Sequence, residues 1–96
     1  MKAELLFREK RVEASGAILE MKIWRVPEPV PPSTHRLRYS LFFGYPGRRL
    51  VGFDNERGKG DHMHIGEEER PYRFVSVDQL MIDFLNAVEQ LEAKDG

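Results

Sequence analysis

The sequence predicts an α+β domain: an antiparallel sheet of about five strands, built from two hairpins and a short further strand, covered on one face by a carboxy-terminal helix. Three observations carry that expectation. Residues 35–43 alternate, with Leu37, Tyr39, Leu41 and Phe43 on one side and Arg36, Arg38, Ser40 and Phe42 on the other, which is the period of a half-buried strand. The segment Gly44-Tyr45-Pro46-Gly47 has the composition of a tight turn that reverses the chain. After Ser76 the period changes: Val77, Leu80, Met81, Phe84, Leu85, Val88 and Leu91 recur at three- and four-residue steps, the stripe of an amphipathic helix.

Taken in order, residues 1–26 form the amino-terminal hairpin. Ala3–Val12 is its first strand, Ser15-Gly16 its turn, and Ala17–Val26 its second strand, where Leu19, Met21 and Ile23 alternate with Glu20, Lys22 and Trp24. Trp24 interrupts the polar side, either as packing beside an edge or as a base-stacking platform next to Lys22 and Arg25. Residues 27–34 hold four prolines, Pro27, Pro29, Pro31 and Pro32, and predict an extended connection, since proline cannot donate to a ladder. Residues 35–75 carry the second hairpin, a polar loop containing His62 and His64, and a short strand at Tyr72–Val75. Residues 76–92 are the helix, opened by Ser76 as N-cap with Asp78 in the first turn. His35 is expected on the surface.

The 96 residues make one domain with one core. There is no apolar run long enough to span a membrane and no signal-peptide core at Met1-Lys2-Ala3-Glu4, so a cytoplasmic protein is expected. Absence of cysteine excludes disulfides and thiolate metal sites. The net charge of −1 hides an asymmetry: residues 1–50 carry ten Lys/Arg against five Glu, and residues 51–96 five Lys/Arg against eleven Asp/Glu. The basic half suits a polyanion, or the two halves neutralise each other across the fold. Arg36, Arg38, Arg48 and Arg49, all on the second hairpin, form the candidate phosphate-facing patch, unless that face is simply solvated.

Candidate chemistry gathers in Phe53–Ile65, where Asp54, Asn55, Lys59, Asp61, His62 and His64 fall within thirteen residues. At i and i+2, the two histidines share one face of an extended backbone. Two imidazoles can take and return a proton near neutral pH, and Lys59 can stabilise charge on a phosphate. The same His-x-His spacing, with Asp54 or Asp61, suits a divalent metal held in a partly open site. The plain alternative is a polar loop closed by an Asx-type turn at Asp54-Asn55.

The order Phe53-Asp54-Asn55, Lys59-Gly60-Asp61-His62-Met63-His64, Pro71-Tyr72-Arg73-Phe74 and then Asp83-Phe84 in the helix resembles the TumE-type toxins of bacterial toxin–antitoxin pairs. The resemblance spans roughly residues 35–92, and Asp61 stands where relatives often carry a third histidine. It implies a toxin that inhibits translation by acting on RNA and is neutralised by a helix-turn-helix antitoxin encoded beside it. Together with the residues, it gives an expected ribonuclease in which His62 and His64 are acid and base and Lys59 stabilises the transition state. Asp54 and Asn55 orient the loop or a histidine, the four arginines hold the RNA backbone, and no cofactor is required. A free strand edge in the first hairpin permits a homodimer. The alternatives are a non-catalytic protein- or nucleic-acid-binding module and a metallohydrolase using His62 and His64 as ligands.

Overall fold

The computed structural model of the chain describes residues 2–95, with side chains as far as Ala93. Six strands, β1 (Glu4–Val12), β2 (Ile18–Arg25), β3 (Leu37–Tyr45), β4 (Arg48–Glu56), β5 (Gly60–Ile65) and β6 (Glu68–Pro71), precede one helix, α1 (Val77–Asp95). Each strand pairs antiparallel with its sequence neighbour, giving a meander in the order β1-β2-β3-β4-β5-β6. The α+β class holds, with one strand more than expected.

The difference lies where a loop was expected. Phe53–Glu56 continues β4 and Gly60–Ile65 is β5, joined by the short turn Arg57-Gly58-Lys59. Strand β5 escapes a hydrophobicity reading because its two faces, Asp61-Met63-Ile65 and His62-His64, both carry polar residues. The acidic run then supplies β6, paired through His64↔Glu69 and Ile65↔Glu68. Tyr72–Val75, expected as a strand, has no regular structure. Its Tyr72 and Phe74 side chains instead pack against the core beneath α1.

Alternation builds the core on one face of the sheet. Leu19, Met21 and Ile23 of β2, Tyr39, Leu41 and Phe43 of β3, and Val51 and Phe53 of β4 are buried against Leu80, Phe84 and Val88 of α1. Phe84 meets Phe53 edge-on, ring centres 5.8 Å apart. Ser76 caps α1 as expected: its Oγ accepts from Gln79 N at 3.1 Å. Gln79 does not complete a capping box but donates to Asp83 Oδ1 at 2.8 Å. Helix α1 leaves β1 uncovered, so Leu5, Leu6 and Phe7 remain exposed beside a free strand edge. No helix among the described residues is long and apolar enough to cross a membrane.

The proline-rich connection does more than link β2 to β3. Its ends are held together by Val26 N donating to Arg36 O at 3.0 Å, while its middle crosses the β4–β5 turn and Pro31 O accepts from Gly58 N at 2.9 Å. Gly60 makes that crossing possible. Its φ is +76°, and a Cβ there would lie 3.0 Å from Pro32 Cγ.

Candidate functional site

Register decides which side chains meet. On the face turned away from α1, Asp54 of β4 stands directly opposite His62 of β5, with Ser40 of β3 on its other side. His64, two residues on, lies opposite Gly52 and is flanked on β6 by Glu69. Both histidines are buried, at 4% and 8% exposure, although no helix covers this face. Their rings are edge-on with centres 5.1 Å apart.

The hydrogen bonds constrain the protons. His62 Nδ1 lies 3.0 Å from Gly60 O, and a carbonyl only accepts, so Nδ1 carries the proton and Nε2 holds the lone pair of the neutral ring. Nε2 sits 2.7 Å from Asp54 Oδ1. The contact is close but makes no aligned hydrogen bond, and Asp54 Oδ1 is buried without a donor. His64 Nδ1 lies 3.9 Å from Glu69 Oε2, and Lys59 Nζ 3.6 Å from Glu69 Oε1. Burial holds the His64 pKa below its usual value, reinforced by the nearby Arg49 charge and opposed by Glu69. Arg49 comes close because Gly52 has no side chain: a Cβ there would stand 2.6 Å from Arg49 Cδ. Among the described residues, Asp54, His62 and His64 are the group whose ligating atoms converge, all within 4.8 Å of one another.

Asn55 and Asp61 point to the opposite face. Asn55 Nδ2 donates to Leu37 O at 2.7 Å and its Oδ1 accepts from Tyr39 N at 3.0 Å. It therefore ties β4 to β3 beyond the Ser40↔Asp54 pair and touches neither histidine. Asp61 accepts from Ser33 Oγ, from Tyr39 Oη at 2.7 Å and from His35 Nε2 at 2.7 Å. Burial raises the Asp61 pKa, but the bonds from Ser33, His35 and Tyr39 outweigh it and hold the carboxyl below its usual value. Burial and then Asp61 push the Tyr39 hydroxyl far above its ordinary range. His35, expected on the surface, is half-buried in this network, its ring tilted against that of Phe74 with centres 4.0 Å apart.

The four arginines do not form one patch. Arg38 faces Trp24 at the start of β3, with Arg36 beside it, whereas Arg48 and Arg49 pair with Tyr45 and Gly44 at the far end of the hairpin. Seven residues of extended chain, about 23 Å, separate Arg38 from Tyr45. Arg38 instead lines a depression beside Asp54 with Lys22, Trp24 and Ser40. Sequence reading missed Glu69 as a neighbour of the histidines, because three successive glutamates carry no sign of which one faces them.

Fold and site define a class: a small α+β domain whose helix-backed meander presents a buried histidine pair and carboxylate on its bare face. The family model described as Toxin TumE matches residues 2–92, and the chain belongs to that family. The match takes in the amino-terminal hairpin, which lay outside the resemblance read from sequence. Comparison with curated proteins and with solved structures gave no match.

Proposed function

We propose that this toxin-family protein arrests translation by cleaving RNA, that Asp54, His62 and His64 are its reaction centre, and that a helix-turn-helix antitoxin encoded beside it neutralises it. The observation that carries the reading is the pair of buried imidazoles, centres 5.1 Å apart, with a carboxylate against one of them. A carboxylate lies against His62, whereas the Arg49 charge lies near His64. His64, held unprotonated by burial and Arg49, is the base that removes the 2′-hydroxyl proton. The 2′-oxygen then bonds to phosphorus as the bond to the 5′-oxygen breaks. His62, in its protonated form, gives its Nε2 proton to that departing oxygen, with the Asp54 carboxylate 2.7 Å away to balance the imidazolium charge. The products are a 2′,3′-cyclic phosphate and a 5′-hydroxyl.

Lys59, on the turn at the rim, and Arg49 supply positive charge for the phosphate. Trp24, Lys22 and Arg38 line the adjoining depression, offering a ring face for a base and cations for the backbone. Arg36 lies two residues before Arg38, just ahead of β3, and Arg48 pairs with Tyr45 at the far end of the hairpin. Asn55 supports the site by fixing β4 to β3.

Inducing the wild type beside a His62→Ala/His64→Ala variant, with total RNA followed over the same interval, tests this. Growth arrest and RNA fragmentation are expected for the wild type and neither for the folded variant. Equal toxicity of the two proteins contradicts the assignment.

A further inference from the structure

The contact between His62 and Asp54 holds a second piece of chemistry. With its Nδ1 proton committed to Gly60 O at 3.0 Å, the buried His62 ring leaves Nε2 as an acceptor beside Asp54, off the line of a hydrogen bond to it. There it meets another electron-rich atom, Oδ1, at 2.7 Å, and Oδ1 is buried with no hydrogen bond of its own. Two acceptors held this close repel unless the ring takes up a proton or a cation lies beside them, and a cation can sit along the Nε2 lone pair with Oδ1 at its side. Two atoms bound at roughly 2.1 Å to one ion, near tetrahedral or right angles, lie about 3–3.4 Å apart, so a small opening of this contact admits one. An imidazole that donates its other N–H to a backbone carbonyl is the usual form of a metal-binding histidine, because that bond fixes the tautomer and ring plane.

We propose that Asp54, His62 and His64 bind one divalent first-row transition-metal ion. The His64 nitrogen lies within 4.8 Å of the other two ligating atoms, and an inward shift of about an ångström completes the set. Two imidazoles and a carboxylate, with no thiolate in the chain, select ions such as Zn²⁺, Mn²⁺ or Fe²⁺ over Ca²⁺ or Cu⁺. Three protein ligands leave a coordination position open on the bare face, and Glu69, 3.9 Å from His64 Nδ1, is placed to accept from the His64 ring as it turns. Ion and proton compete for the same lone pairs, so the metal-bound triad is closed to proton transfer and binding weakens as pH falls. The inference rests on the convergence of these atoms and stands whether or not they cleave RNA.

The untagged protein of residues 1–96, stripped with chelator and titrated calorimetrically with Zn²⁺ and spectroscopically with Co²⁺, tests it. One ion per chain at micromolar affinity or tighter is expected, with a Co²⁺ ligand-field spectrum showing nitrogen ligation. Asp54→Asn and His64→Ala each weaken binding about 100-fold or more, while His35→Gln, on the other face, leaves it unchanged. Asp54 is partly exposed, so Asp54→Asn keeps the test open if a histidine variant fails to fold. Absence of saturable binding by the wild type, or binding that survives Asp54→Asn and His64→Ala, overturns the proposal. RNA cleavage is not among the readouts, so failure of the ribonuclease assignment and failure of this one are separate results.

Discussion

Asp61 and His62 are neighbours in the chain yet serve opposite faces of the sheet: Asp61 anchors the proline-rich connection on the helix side, and His62 meets Asp54 on the bare side. Their substitutions therefore separate stability from activity. Asp61→Asn loses a charged acceptor of three hydrogen bonds and is expected to cost about 2–4 kcal/mol in urea unfolding. Asp54→Asn, at the more exposed partner of His62, is expected to change stability little while abolishing RNA cleavage.

Asp61 also sets an acid limit. Its folded pKa lies below the ordinary 3.8, so it contributes stability that is fully present above that value and is lost as pH falls towards the folded one. Urea midpoints measured from neutral to acid pH should converge for wild type and Asp61→Asn at the acid end. A constant gap between them would show that the carboxylate's charge is not what matters.

Asn55→Ala strips the partners from Leu37 O and Tyr39 N while removing nothing from the histidine pair. A loss of about 2–3 kcal/mol is expected, with cleavage per folded molecule within a few-fold of wild type. Specific activity normalised to the folded fraction checks this.

Gly60→Ala places a side chain at φ +76° and against Pro32. It should destabilise by about 1–2 kcal/mol and expose the connection, seen as faster proteolysis within residues 27–34.

Arg49 lowers the His64 pKa through its charge. Removing it raises that pKa, so Arg49→Ala should move the acid limb of the cleavage rate to higher pH. Arg48→Ala, farther along the hairpin, should leave the limb in place. A pH–rate profile of the three proteins decides it.

Much of this was legible in the chain. The stripe from Val77 to Leu91 and the alternation of Leu37–Phe43 each match one period cleanly, because one side of the element is apolar and the other is not. Strand β5 was hidden since its two faces both carry polar groups, yet its i, i+2 spacing still placed His62 and His64 together. Their partner Asp54 was not fixed by spacing alone: it depends on a turn of three residues, Arg57–Lys59, which sets the register. The arginine patch failed for the converse reason, since a hairpin of nine-residue strands holds its ends apart. His35 is half-buried and not a plain surface residue, because the connection folds back over the β4–β5 turn, a contact between segments far apart in sequence.

Whether the open-face triad cleaves RNA is decided by incubating end-labelled RNA with purified protein, with and without ribosomes, and comparing wild type with His64→Gln. Fragments ending in 2′,3′-cyclic phosphate are expected from the wild type, and a rate at least about 100-fold lower from the folded variant. Equal rates from the two proteins, or intact RNA under conditions where the wild type arrests growth, would contradict the assignment.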